Sequence, residues 1–176
     1  MLRLKTGPRA DEISRASSPL PVFRRRQMSH THLIHRNPVE ILLVEDNPGD
    51  IRLIQEAFKE SGFSSRLNIA RDGEQALAFL RQQGEYSTSP RPAFIILDLN
   101  LPRKDGREVL AEVKRDKSLR QIPVVILSTS TSTEDVLRAY DLHANCYVPK
   151  PLDIEHLVQL GRSLEEFWLS TAILPA

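Results

Sequence analysis

The stretch "AFIILDLNLPRKDG", residues 93–106, runs five apolar positions directly into a carboxylate. A continuous apolar run of strand length is typical of a strand that is buried on both faces of a parallel sheet. Asp98 then stands at the carboxyl end of that strand, and a second acid, Asp105, comes just before a glycine. The pattern predicts a central strand that carries Asp98 to one edge of the sheet.

Four other short apolar runs, at 41–44, 66–70, 123–127 and 146–148, have the length of strands. Five segments show helical spacing of apolar residues, marked by Ile51, Ile54 and Phe58; Leu77 and Leu80; Val109, Leu110 and Val113; Val136, Leu137 and Tyr140; and Ile154, Leu157, Val158, Gly161, Leu164 and Trp168. We expect Asp153 to cap the last of these helices. Five strands that alternate with five helices predict an α/β fold, a doubly wound five-stranded parallel sheet.

The chain of 176 residues is 40% hydrophobic, which is enough for one core. Residues 1–38 carry eight Lys and Arg against two acids, with four prolines and no sustained periodicity. We therefore expect a disordered basic extension at 1–38, a folded domain at 39–166 and an apolar tail at 167–176.

Two features bear on the compartment and on the partners. The lone cysteine, Cys146, suits a reducing compartment, and no apolar run is long enough to span a membrane. The basic run Arg24–Arg26 is more typical of a solvated tail than of a nucleic-acid contact. We expect a cytoplasmic protein that engages neither membranes nor nucleic acid.

Polar residues follow the ends of four predicted strands, and they are listed in strand order as Glu45 and Asp46, Asp98, Ser128 and Lys150. Sheets of this class place their sites beyond the carboxyl ends of the strands. Carboxylates brought about 4 Å apart there repel by roughly 4 kcal/mol at an effective dielectric near 20. A hard cation such as Mg²⁺, together with the Lys150 ammonium, would offset that repulsion and make one of these carboxylates a candidate nucleophile toward phosphorus.

The segments "ILLVEDNPGD", "FIILDLNLPRKDG", "VVILSTS" and "YVPKP" resemble those of the receiver domain of two-component response regulators. The resemblance covers about residues 39–166, with every segment in order. It implies the strand order 2-1-3-4-5 of a flavodoxin-like receiver. Within that family, the chain is most similar to the stand-alone receivers that partner bacterial phytochromes, especially cyanobacterial ones.

The resemblance also implies roles for individual residues. Asp98 would accept a phosphoryl group from a sensor histidine kinase, for which the resemblance implies a phytochrome, and Ser128 and Lys150 would hold that group. The metal site implied for Mg²⁺ comprises Glu45 (acting through water), Asp46, Asp98 and the backbone carbonyl of Asn100. Tyr147 would report the switch through its rotamer, although it also fits an ordinary strand aromatic. The Lys150–Pro151 peptide bond is expected to be cis.

Other functions fit the residues less well. A phosphatase with an aspartyl-phosphate intermediate typically needs a second acid two residues after the nucleophile, and here that position is Asn100. No glycine-rich phosphate-binding motif follows the first strand, which disfavours a nucleotide-binding enzyme. Asp105 is explained by the turn before a helix. We expect a signalling protein and no enzyme, with a phosphorylation-independent interaction module or a phosphorelay intermediate as the alternative.

Only the tail at 167–176 follows the fifth helix, too short for a DNA-binding output domain, so we expect the signal to pass through protein contacts. The tail, "FWLSTAILPA" from 167, holds more apolar side chains than one helix face buries. We predict a homodimer through the fourth and fifth helices and this tail, in the region of Tyr147, Phe167 and Trp168. The alternative is that the tail packs back onto its own domain.

Overall fold

The computed structural model describes residues 38–62 and 65–174. The predicted basic extension as far as residue 37, and the last two residues of the tail, lie outside the described residues. The strands are β1 (Val39–Val44), β2 (Ser65–Ala70), β3 (Phe94–Leu97), β4 (Val124–Ser128) and β5 (Cys146–Pro149). The helices are α1 (Pro48–Ser61), α2 (Gly73–Leu80), α3 (Gly106–Arg115), α4 (Thr133–Asp141) and α5 (Ile154–Glu165), with a 3₁₀ turn at Gly84–Tyr86.

The five strands form one parallel sheet in the order β2-β1-β3-β4-β5. Alternate side chains of β1 enter two separate cores. Leu42 and Val44 pack with α2 and α3, and Ile41 and Leu43 pack with α1 and α5. Because helices cover both faces, β3 and β4 are buried at every position. The predicted fold class and the strand order are confirmed.

Each helix begins after a side chain that accepts a hydrogen bond from a free backbone N–H, which stabilises the helix start. Asp153 caps α5 as predicted, accepting from the His156 N–H at 2.9 Å. Asp105 caps α3 by accepting from the Arg107 N–H, and the Glu108 side chain completes a capping box. The turn and helix start thus explain Asp105 as expected.

In the fourth helix, α4, two of the three apolar residues that predicted the helix face solvent. Leu137 is 60% exposed and Tyr140 is 48% exposed, whereas the buried residue of α4 is Ala139. The stripe correctly predicted a helix, but Leu137 and Tyr140 lie on its outer side and only Val136 is half-buried. A small residue suffices on the inner side because α4 packs at the sheet edge, near the half-buried β5.

The end of the chain continues α5 through a π-helical stretch, Glu166–Thr171. Trp168 packs back onto the domain, with its ring 6.3 Å from that of Phe94 in a stacked arrangement. Phe167 remains 52% exposed and Ile173 is fully exposed. Packing onto the domain therefore accounts for Trp168 and leaves part of the apolar tail at the surface.

Two further observations concern the peptide bond before Pro151 and the membrane-spanning capacity of the helices. No cis peptide bond occurs among the residues that the structure describes, so the expectation for Lys150–Pro151 is wrong. The trans form is the more stable one for such bonds by about 0.5–1 kcal/mol. Over the same residues, no helix combines the length and the apolar character needed to cross a membrane.

Candidate functional site

The carboxyl ends of β1, β3, β4 and β5 meet at one edge of the sheet. Val44 pairs with Leu97, so Glu45 and Asp98 leave neighbouring strands side by side. Asp98 anchors this end of β3 by donating its N–H to the Val44 carbonyl at 3.0 Å. Parallel register therefore brings together acids that are far apart in the sequence.

Lys150 occupies the centre of this edge. Its Nζ donates to Glu45 Oε2 at 2.7 Å, to Asp98 Oδ2 at 2.8 Å and to Asp50 Oδ2 at 2.9 Å. The Lys150 side chain is only 8% exposed. Its three N–H donors are thus all used by carboxylates, which fixes the ammonium beside Asp98.

Burial and pairing both shape the ionisation of this cluster. Burial alone would lower the pKa of Lys150, but hydrogen bonds to Asp98, Glu45 and Asp50 outweigh it and raise the pKa above its usual value. Burial raises the pKa of Glu45, although Lys150 and the Asn47 N–H oppose the shift. Lys150 is therefore a permanent cation at this edge.

The charge balance of the cluster bears on a metal ion. Three ionised carboxylates around one ammonium leave a net charge of −2. Asp46, which follows Glu45, is exposed and lies outside these ion pairs. Within residues 38–62 and 65–174, no three acidic, His or Cys side chains are already arranged to hold a metal ion.

The donor chemistry nevertheless fits Mg²⁺, which uses one or two carboxylates and keeps several waters. Asp46 and Asp98 offer carboxylate oxygens, and Asn100 offers a backbone carbonyl. Both Glu45 oxygens already accept hydrogen bonds, one from the Asn47 N–H at 3.0 Å and one from Lys150, which suits a role through water. Surplus negative charge and hard oxygen donors make this edge compatible with a divalent cation.

The loop after β3 is fixed close to Asp98. Asp98 Oδ1 accepts from the Asn100 N–H at 3.2 Å, and the Gly106 N–H donates to the Leu99 carbonyl at 2.9 Å. A Cβ at Gly106 would lie 2.1 Å from the Asp98 carbonyl oxygen. Only glycine permits so close an approach, so the start of α3 packs directly on the Asp98 backbone.

Ser128 ends β4 and is fully buried. Its Oγ accepts from the Ser130 N–H at 3.3 Å. Tyr147, predicted as a possible switch aromatic, lies half-buried on β5 and donates its hydroxyl to the Ser130 carbonyl at 2.8 Å. Side chains from two neighbouring strands, β4 and β5, therefore hold the loop after β4.

The structure brings Glu45, Asp98 and Lys150 into direct contact and places Ser128 on the neighbouring strand. Sequence reasoning missed Asp50, the third carboxylate on Lys150. The position of Asp50 in the sequence could have identified it. Asp50 lies in the first turn of α1, the helix that follows β1, and side chains in a first turn lean back toward the start of the helix.

Comparisons with known proteins identify the family to which the chain belongs. Residues 41–162 match the response regulator receiver domain family. The chain is 54% identical over 139 residues to response regulator Rcp1 from Synechocystis sp., covering 79% of this chain and 95% of that protein.

Two crystal structures are similar over 79% of the chain. One is the phosphorylated cyanobacterial phytochrome response regulator RcpA, at 55% identity with a TM-score of 0.75 and 99% of that chain covered. The other is the Mn²⁺-bound form of Rcp1, at 54% identity with a TM-score of 0.73 and 100% covered. The protein described here belongs to the receiver domain family of response regulators and is related to phytochrome response regulators.

Proposed function

We propose that the protein is a single-domain response regulator that accepts a phosphoryl group on Asp98 and signals through altered protein contacts in the cytoplasm. The observation that carries this proposal is the position of Asp98, with one carboxylate oxygen on the Lys150 ammonium at 2.8 Å and the Ser128 hydroxyl on the next strand. Nucleophile, cation and hydroxyl are the parts that phosphoryl transfer needs.

The transfer follows from these groups. A carboxylate oxygen of Asp98 forms a bond to phosphorus while the bond from phosphorus to a kinase histidine nitrogen breaks, and that electron pair stays on the imidazole. Lys150 holds the carboxylate in place and neutralises charge on the phosphoryl oxygens. A Mg²⁺ held by Asp46, Asp98 and the Asn100 carbonyl, with Glu45 through water, would supply further charge neutralisation.

The acylphosphate is expected to persist, because Asn100 carries an amide that cannot serve in proton transfer. Persistence suits a signal, since the Ser128 hydroxyl then has time to bond the phosphoryl group and shift the loop after β4. A module that acts by binding alone has no evident use for Lys150 placed on Asp98, and a phosphorelay intermediate would use the same groups.

The proposed phosphodonor is a sensor histidine kinase, and the relation to RcpA and Rcp1 favours a phytochrome. A cleft of about 150 Å³ opens beside Lys150, bordered by α1 and the segment before α5. Leu53 and Leu152 line it and are exposed, the latter at 97%. Apolar side chains beside the lysine that contacts Asp98 suit the docking of a partner that must bring its histidine close.

The phosphorylation proposal is tested by incubating native protein and Asp98→Asn with acetyl phosphate and Mg²⁺, followed by intact mass measurement. We expect native protein to gain one phosphoryl group and the variant to gain none. No gain on native protein would refute the proposal, and equal gain on both proteins would remove Asp98 from its role.

We further propose a homodimer through α4, α5 and the apolar tail, in the region of Tyr147, Phe167 and Trp168. Exposed apolar side chains on these elements support it, among them Leu137 and Phe167. Because Trp168 packs on its own domain, Phe167→Ser is the sharper probe of the interface. By light scattering we expect native protein to be a dimer, Phe167→Ser a monomer and Leu53→Ser, on α1 outside the proposed interface, still a dimer. A dimer in the Phe167 variant would contradict this interface.

A further inference from the structure

Ser130 is the centre of a hydrogen-bond network in the β4–α4 loop, residues 129–132. Its N–H donates to Ser128 Oγ at 3.3 Å, and its carbonyl accepts from the Tyr147 hydroxyl at 2.8 Å. The hydroxyl that would bond a phosphoryl group on Asp98 is therefore engaged by the Ser130 backbone. A movement of the Ser128 oxygen toward Asp98 would change that contact, because the contact depends on where the oxygen lies.

The Ser130 side chain connects the loop to α4. Its Oγ donates to Asp135 Oδ2 at 2.6 Å, and the other oxygen of Asp135 is paired with Arg107 Nη2. Ser130 and Arg107 together hold the pKa of Asp135 below its usual value. Asp135 is thus an ionised acceptor that fastens the loop to a residue of another helix.

Arg107 closes the connection back to the Asp98 side of the site. Its Nη1 donates to Asp105 Oδ2 at 3.1 Å, at the start of α3. That helix start packs on the Asp98 backbone through Gly106. With its side chain only 18% exposed, Arg107 joins the element anchored on the nucleophile to the loop that carries the Ser128 contact.

We propose that Arg107 is a positioning residue, which through Asp135 and Ser130 holds the Ser128 hydroxyl in its unphosphorylated arrangement and sets how readily the loop rearranges. The inference rests on the proposed phosphorylation of Asp98. In this proposal the loop takes a second arrangement once Asp98 is phosphorylated, and a contact made only in the unphosphorylated arrangement opposes that shift. Removal of the pair should therefore favour the arrangement in which Ser128 bonds the phosphoryl group.

Two variants test the pair, Arg107→Gln and Asp135→Asn. Because the pair is partly exposed, we expect each to raise the rate of phosphorylation by acetyl phosphate by about two- to five-fold. Arg107 acts through Asp135 in this proposal, so Arg107→Gln should add nothing further in the Asp135→Asn background. Arg107→Lys keeps the positive charge but loses the planar guanidinium that pairs with two carboxylates. We expect its phosphorylation rate to lie between those of native protein and Arg107→Gln.

The matched control is Arg81→Gln, which removes a pair with Glu112 of α3 that includes no residue of the β4–α4 loop. We expect its rate to equal the native rate. An unchanged rate in both Arg107→Gln and Asp135→Asn, additive effects in the double variant, or an equal rise in Arg81→Gln would each overturn the proposal. If Arg107→Gln does not fold, Asp135→Asn decides the question alone.

A second readout needs no phosphate. The backbone amide signals of Ser128 and Ser130 in NMR spectra of unphosphorylated protein should shift in Arg107→Gln and Asp135→Asn, and stay in place in Arg81→Gln. If native protein takes up no phosphoryl group, the proposed function fails while these amide signals still report whether Arg107 positions the loop. Unmoved signals in both variants would overturn the positioning role.

Discussion

Replacement of Lys150 by Met removes the cation from the centre of the site while keeping most of the side-chain volume. The three carboxylates of Glu45, Asp50 and Asp98 then face one another without an ammonium. Removal of one partner from a buried ion pair typically lowers the free energy of unfolding by about 3–5 kcal/mol. Asp50 remains 31% exposed and can be solvated, so we expect a loss near the lower end, about 3 kcal/mol, at neutral pH.

The loss should depend on pH and on divalent cations. Without Lys150, Glu45 loses the hydrogen bond that opposes the effect of burial, so the pKa of that carboxyl group rises further above its unfolded value. A raised carboxyl pKa means that the folded state binds protons more readily, so the deficit shrinks as the pH falls toward the unfolded value of about 4. Added Mg²⁺ should also restore part of the lost stability, because it replaces the missing positive charge.

Urea unfolding followed by circular dichroism measures these effects at about pH 7.5 and about pH 5, with and without Mg²⁺. Lys104→Met is the control, since Lys104 pairs with Glu112 at the surface, where ion pairs contribute little. Equal losses in the two variants, or a Lys150→Met deficit that is the same at both pH values, would refute the reasoning.

Two more predictions concern stability, measured by the same unfolding assay. Gly106→Ala should lower the free energy of unfolding by about 3 kcal/mol, because the added Cβ would lie 2.1 Å from the Asp98 carbonyl oxygen. Gly161→Ala is the control and should not lower stability, since its Cβ would have no contact closer than 3.6 Å. Similar losses in the two variants would contradict the steric argument. Glu165 is fully buried, and burial raises the pKa of its carboxyl group. The stability of native protein relative to Glu165→Gln should therefore rise as the pH falls toward 4.5, by up to about 1.4 kcal/mol for each pH unit between the folded and unfolded pKa values. A stability difference that does not vary with pH would contradict this prediction.

Much of the fold was predictable because the inner strands β3 and β4 are buried on both faces. A strand such as β3 has no polar positions at all, so its apolar run marks it directly. The α/β class follows from alternation of strands and helices, but the strand order came from the resemblance to receiver domains. The outward-facing stripe of α4 shows the limit of periodicity: spacing identifies a helix, while the side that is buried depends on the neighbours.

The site was predictable where strand ends define it. Glu45, Asp98 and Lys150 meet because parallel register aligns the ends of β1, β3 and β5. Asp50 was missed because its position depends on the direction in which α1 leaves the sheet. Pairing of Arg107 with Asp135, 28 residues along the chain, depends on the packing of two helices and leaves no periodic pattern in the sequence.

The stacking of Trp168 on Phe94 gives the protein a built-in optical probe. Trp168 is the only tryptophan in the chain, so its emission reports one location without labelling. Phe94 opens β3, and Asp98 directly follows the last residue of that strand, so the indole lies at the far end of the strand from the nucleophile. Changes in fluorescence will reveal whether the end of α5 stays docked while the opposite edge of the sheet changes state.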